Sequence, residues 1–159
     1  MKFDTKLHNK EYRFLYSLGN DNGYLKLLRQ NYPLDSLIRG AKTDAEKALR
    51  ILNWVHNQWK HDGNNEPAKR DAISILEEVK QGKRFRCVEY GIVLSACLKA
   101  VGLPARMLGL KTKDVETTQS GAGHVVSEVY LKDLNKWAFL DGQMDVMPVL
   151  NGVPLNAVE

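Results

Sequence analysis

The chain has few cysteines for its length. Its 159 residues include only two, Cys87 and Cys97. Both fall in one apolar stretch that we predict to be a single helix, where their spacing corresponds to about 15 Å. Since a disulfide needs Cα atoms closer than about 7 Å, the sequence predicts two free thiols. Free thiols are typical of proteins in a reducing compartment.

Long apolar runs are also absent. The first residues, Met1 to Glu11, mix charged and apolar side chains, unlike a secretory signal. No stretch is long enough to cross a bilayer as a helix. We therefore expect a cytoplasmic protein without a membrane partner.

The chain carries no strong excess of charge. Its formal net charge is +4, and its pI is close to 9.0. The densest basic run, residues 80–86, is typical of a solvated helix end and loop. No motif for reading nucleic acid accompanies this run, and we expect no nucleic-acid partner.

The composition indicates one globular domain, residues 1–159. Hydrophobic residues make up 43% of the chain and charged residues 26%. Short helices broken by turns are predicted before residue 40. Apolar periodicity, caps and breakers then predict helices near 43–59, 69–80 and 87–101, followed by strands near 105–110, 124–131 and 137–141. The fold class is α+β, with N-terminal helices and a buried cysteine-bearing helix packed on an antiparallel sheet.

The C-terminal residues 151–159 combine a turn signal with the pattern of a new helix. A chain seldom stops at such a point. This pattern favours a chain that has been shortened at its C-terminus.

Cys87 is the candidate nucleophile. We expect it at the start of the predicted buried helix, where the helix dipole and unpaired backbone N–H groups stabilise a thiolate. Arg84 and Arg86 would add positive charge. Cys97 lies deep in the same helix and is predicted to be a small buried core residue.

His124 and Asp141 are the candidate partners of this thiol. His124 opens an alternating strand after a glycine-rich loop, and Asp141 ends the next strand. An even number of connecting residues would put them on one sheet face, and an odd number on opposite faces. A thiol, an imidazole and a carboxylate together form an activated nucleophile. Asp145 is the competing carboxylate.

The segment from Cys87 to Asp141 resembles the catalytic core of transglutaminase-like proteins. The shared features are a cysteine opening a core helix, a segment Gly-Leu-Pro-Ala-Arg at 102–106, a strand with His124, Glu128, Val129 and Tyr130, and the later Trp137, Leu140 and Asp141. The chain departs from the family pattern at Phe85, Val126 and Gly142-Gln143. These departures leave the triad intact and concern the substrate cleft.

The resemblance implies attack of the Cys87 thiol on a peptide or amide carbonyl, a thioester intermediate, and no cofactor. It also makes Trp59 a candidate oxyanion-hole donor beside the backbone N–H of Cys87, although burial in the core explains a tryptophan there equally well. The family pattern favours Asp141 over Asp145. Arg106 and Glu128 belong to the motif and are interpreted as structural.

Three functions remain open from sequence. Hydrolysis of a peptide or protein substrate is favoured because water is always available and no dedicated amine site is visible. Amine transfer, as in a cross-linking transglutaminase, is the first alternative. A non-catalytic binding module that retains the fold is the second. A zinc site from Cys87, Cys97 and His124 lacks the usual ligand spacing, so no metal is expected.

Overall fold

The computed structural model describes residues 16–19 and 21–159. The helices predicted within residues 1–15 therefore lie outside the described residues. Five helices come first along the chain, α1 (Gly23–Asn31), α2 (Leu34–Ile38), α3 (Asp44–His56), α4 (Ala72–Lys80) and α5 (Cys87–Ala100). Five strands follow, β1 (Ala105–Lys111), β2 (Gly123–Leu131), β3 (Lys136–Leu140), β4 (Val149–Leu150) and β5 (Val153–Pro154). The fold is α+β, as predicted.

Side-chain caps define where the surface helices begin. Thr43 accepts a hydrogen bond from the backbone N–H of Glu46 at the start of α3, and Asp71 accepts from that of Ser74 at the start of α4. Such caps satisfy N–H groups that have no partner within the helix. The α3 cap is the one that the Thr-x-x-Glu pattern predicts, although the Glu46 carboxylate accepts from Lys42 rather than from Thr43.

Helix α5 is the centre of the core. Most of its residues from Glu89 onward are buried, and α1, α3 and α4 pack against it on one side. On the other side it contacts β1 and β2. A helix covered on all sides can be apolar all round, which explains why this stretch showed no amphipathic period.

The sheet is an antiparallel meander in the order β1-β2-β3. Ser127 pairs with Leu140 and Leu131 with Lys136, so four residues connect β2 to β3. This even number puts Asp141 diagonally opposite His124, on the same face of the sheet.

The C-terminal tail differs from its sequence-based prediction. A hairpin forms from β4 and β5, with Asn151 and Gly152 at positive φ angles of 50° and 78° in its turn. Positive φ at both central residues is the geometry of the tight hairpin turn that an Asn-Gly pair prefers. The predicted turn is therefore present, but no helix follows it up to residue 159.

Within the part of the chain that the structure describes, every helix is too short or too polar to cross a bilayer.

Candidate active site

Cys87 is the first residue of α5 and is half-buried. Arg86, just before it, has extended backbone geometry, which starts the helix at the cysteine. At this position a residue's N–H has no acceptor within the helix and points toward the N-terminal end. Both the thiol and its own N–H are therefore placed where they can meet a carbonyl group.

Arg86 does not supply the free positive charge that the sequence suggests. Its guanidinium pairs with Glu89 at 3.1 Å and with Glu66 at 2.7 Å. The carboxylate of Glu89, fully buried, also accepts from the Arg86 backbone N–H at 3.2 Å. These bonds raise the pKa of Arg86, and the bond to Glu89 contributes most. Arg86 thus holds the helix start in place, and its charge is balanced by two carboxylates.

His124 and Asp141 form a hydrogen-bonded pair. His124 Nε2 lies 2.7 Å from Asp141 Oδ2, with the imidazole about one-third exposed and the carboxylate largely buried. An ionised carboxylate only accepts hydrogen bonds, so Nε2 carries the proton in this contact. With Nε2 donating to Asp141, Nδ1 is the ring nitrogen left to accept a proton.

The loop after β3 fixes the Asp141 carboxylate. Its other oxygen, Oδ1, accepts from the backbone N–H groups of Gln143 and Met144 at 2.9 and 3.1 Å. Asp141 also exchanges two backbone hydrogen bonds with Val146. Both oxygens of the carboxylate are therefore bound, which holds the side chain in its orientation toward His124.

Helix α3 holds the same loop from outside. Asn53 donates to Asp145 at 2.7 Å, and His56 Nδ1 lies 3.0 Å from the carbonyl oxygen of Gln143. Asp145, the competing carboxylate, thus binds an amide on α3, whereas Asp141 binds the imidazole. The sequence patterns reveal neither of these contacts, because they join residues far apart in the chain.

The first turns of α5 lie against the chain neighbours of both members of the pair. A Cβ atom added to Gly91, one turn after Cys87, would be 2.9 Å from Val125, the neighbour of His124. One added to Gly142, the neighbour of Asp141, would be 3.3 Å from Cβ of Tyr90. Glycine at both contacts lets the backbones approach closely. The helix start, the beginning of β2 and the end of β3 therefore meet at one place.

The expected contact between Cys87 and His124 is not observed as a hydrogen bond. Both residues are described, yet no hydrogen bond joins the thiol to the imidazole. Such contacts are often long in enzymes without substrate and shorten when it binds. The thiol–imidazole distance of about 4 Å expected for an active pair stays a prediction.

Trp59 braces the segment that leads to Cys87. Its indole N–H donates to the carbonyl oxygen of Phe85 at 3.3 Å, and its ring stacks on Tyr90 with centroids 4.2 Å apart. The Tyr90 hydroxyl donates to the Trp59 carbonyl oxygen at 2.6 Å. The indole N–H, which an oxyanion hole would require to be free, is thus bound to Phe85. The present contacts of Trp59 are those of an aromatic residue packed in the core.

Arg106 and Cys97 lie in surroundings typical of structural residues. Arg106 binds the buried Glu128 across β1 and β2 and lies over the Trp137 ring at 4.2 Å, in keeping with the structural role expected of this pair. Cys97 is fully buried, and burial raises the pKa of its thiol. Among residues 16–19 and 21–159, no group of His, Cys, Asp and Glu side chains could hold a metal ion.

Comparison with known proteins identifies the family. The model of the transglutaminase-like superfamily matches residues 34–142, well over half of the chain. A comparison with curated proteins finds no match.

Two solved structures match this chain. A candidate cysteine protease from Cytophaga hutchinsonii aligns at TM-score 0.60 and 18% identity over 89% of this chain, which spans 43% of that protein. A candidate protease from Parabacteroides distasonis aligns at TM-score 0.49 and 14% identity over 67% of this chain and 21% of its own. The first shares the α+β arrangement described above. The chain belongs to the transglutaminase-like superfamily.

Proposed function

We propose that this chain is a cysteine-dependent acyl-transfer enzyme that cleaves peptide or amide bonds through a thioester. Cys87 is the nucleophile, His124 the general acid and base, and Asp141 the residue that orients the imidazole. The observation that carries the proposal is the 2.7 Å bond between His124 and Asp141, whose chain neighbours Val125 and Gly142 lie against the helix that begins with Cys87.

In the first half of the reaction the Cys87 sulfur attacks the carbonyl carbon of the substrate. His124 Nδ1 takes the thiol proton, and the Asp141 carboxylate stabilises the resulting imidazolium. When the carbon–nitrogen bond breaks, the imidazolium returns this proton to the leaving amine. A thioester between Cys87 and the acyl part of the substrate remains.

In the second half water replaces the amine. His124 accepts a proton from water as the oxygen attacks the thioester, and the carbon–sulfur bond then breaks. The sulfur recovers its proton from the imidazolium, and the acyl group leaves as a carboxylic acid. An amine attacking in place of water would give a new amide and would make the chain a transglutaminase.

Both halves develop negative charge on the carbonyl oxygen. The backbone N–H of Cys87 is the first donor in this proposal, because it is free at the start of α5. Trp59 can become the second donor only by giving up its bond to the Phe85 carbonyl.

The test is an activity profile of the purified chain. A mixed peptide library is incubated with the protein, with and without the amine probe biotin-cadaverine, and its products are identified by mass spectrometry. We expect new carboxyl termini, no biotin incorporation, and an acyl adduct on Cys87 in the intact mass of protein quenched in acid. The Cys87→Ala variant should give neither product nor adduct.

The other functions predict different results. Biotin incorporation that depends on Cys87 would replace hydrolysis by amine transfer. The absence of product and adduct, with peptides still retained by the protein, would favour a binding module. Undiminished cleavage by Cys87→Ala would refute the mechanism.

A further inference from the structure

A cavity of about 570 Å³ is lined by residues that flank two of the proposed catalytic residues, Cys87 and Asp141, in the chain. It lies between the end of α3, the segment before α5 and the loop after Asp141. Its inner wall is formed by the stacked rings of Trp59 and Tyr90. Tyr90 follows Cys87 by one helical turn, and Arg84 precedes it by three residues. A substrate held at Cys87 would therefore pass close to this cavity.

The side chains around the cavity are positively charged or neutral. Lys60, Lys83 and Arg84 line it together with two histidines, and none of the lining residues in the described chain is acidic. Lys83 pairs with Glu78 at 2.5 Å. Lys60 and Arg84, both exposed, form no ion pair with any described residue. The cavity thus presents two uncompensated cations at its mouth.

A buried amide adds a second recognition group. Gln143 lines the cavity, and its side-chain oxygen is inaccessible to solvent and has no hydrogen-bond partner in the described chain. Leaving such an oxygen unpaired costs free energy, so the Gln143 side chain gains by turning toward the cavity when a ligand offers a donor. A peptide main chain supplies N–H donors of this kind.

We propose that this cationic cavity, defined by Lys60, Arg84 and Gln143 against the Trp59 and Tyr90 rings, binds a carboxylate of the substrate beside the bond that is cleaved. This inference rests on the proposed function. Lys60 and Arg84 bind the carboxylate, Arg84 through its planar fork of donors, and Gln143 accepts from the peptide main chain. The enzyme therefore selects acidic peptides over neutral peptides of the same shape.

The experiment measures binding without turnover. The Cys87→Ala protein is mixed with a set of hexapeptides in matched pairs, and retained peptides are quantified by mass spectrometry after rapid filtration. One series is amidated at the C-terminus and carries Glu or Gln at a single position. A second series carries only Gln and ends in a free acid or an amide. The two series separate a side-chain carboxylate from a terminal one.

We expect the acidic member of one series to be retained about tenfold better than its neutral partner, which is the scale of a charge-assisted hydrogen bond. The double substitution Lys60→Gln, Arg84→Gln should remove that preference, and about 0.5 M salt should weaken it by screening. Lys26→Gln, which removes an exposed cation on α1, is the matched control and should keep it. Melting curves verify that each variant is folded.

Equal retention of acidic and neutral peptides, a preference that survives the double substitution, or no retention of any peptide would overturn the proposal. The proposed function fails separately. If the protein prefers carboxylates in binding but the wild-type chain hydrolyses no peptide, the proposed function is wrong and the carboxylate site stands. If the chain hydrolyses peptides without such a preference, only the carboxylate site is wrong.

Discussion

The start and the second half of α5 place cysteine side chains in opposite environments. Cys87, at the first residue, is half-buried at the helix start, where backbone N–H groups have no acceptor within the helix. Cys97, in the second half, is fully buried among apolar residues, where burial raises the pKa of its thiol. One helix thus carries one partly accessible thiol and one that is shut off from solvent.

The difference follows from where polar groups can be satisfied. The first turn of a helix has unpaired N–H groups and can accept a charge, and here the Arg86–Glu89 pair further fixes its start. The middle of α5 has no spare donors, so an ionised thiol there would be unpaired in an apolar surrounding. Chemistry is therefore expected at the beginning of the helix and stability along the rest.

Replacing each cysteine in turn by alanine tests this division most strongly. Cys87→Ala should lower kcat/KM on any substrate found by at least about 10⁴-fold, because the nucleophile is lost. Its melting temperature should stay near that of the wild type. Cys97→Ala should behave in the opposite way, with a lower melting temperature and normal turnover. A Cys97→Ala protein that is folded yet inactive would break the comparison.

Alkylation compares the two thiols directly. Native protein at about pH 6 to 7 should react with iodoacetamide at Cys87 at least about 10³-fold faster than at Cys97, because thiolate and access are both required. Peptide mapping after timed quenching gives the two rates. Reaction at both sites in urea is the control. Equal rates in the native protein would mean that α5 opens or that Cys87 is not activated.

Substituting the two carboxylates of the loop after β3 tests which of them is the partner of His124. Asp141→Asn should lower kcat/KM on the order of 10²-fold, because an amide facing His124 Nε2 cannot replace the carboxylate that orients and stabilises the imidazolium. Asp145→Asn is the matched control. Its backbone φ of 56° suits asparagine, and its partner is Asn53, so the expected change is small. The reverse result would assign the triad carboxylate to Asp145.

Local patterns explain why much of this architecture was predictable. The Thr43 cap, the apolar run after Cys87 and the Gly102–Pro104 stop signal depend on neighbouring residues, and α3 and α5 begin as expected. The sequence left open whether an even or an odd number of residues connects the two strands, and the family pattern favoured Asp141; four residues connect them.

Long-range contacts account for what the sequence could not provide. Glu66 lies in a polar loop, and its pairing with Arg86 depends on the path of that loop. The bond from Trp59 to the Phe85 carbonyl likewise requires the three-dimensional course of two connections. The tail was misjudged because its Asn-Gly turn is compatible with a hairpin as well as with a helix that follows it.

The smallest expected effect concerns stability rather than activity, and it isolates the buried end of α5. Burial raises the pKa of Cys97 above its unfolded value of about 8.5. Above that pH the unfolded chain loses this proton while the folded protein keeps it, so the free energy of unfolding falls as pH rises, by about 1.4 kcal/mol per unit. Urea unfolding at pH 8 and 9.5 measures the slope in Cys87→Ala, so that only Cys97 contributes a thiol. Adding Cys97→Ala should remove this part of the slope.

The range stays below pH 10 because burial also raises the pKa of Tyr90, to about 12, and its unfolded form ionises near 10. An identical slope in both variants would show that the Cys97 thiol ionises in the folded protein as readily as in the unfolded chain, and the two ends of the helix would then differ in access alone.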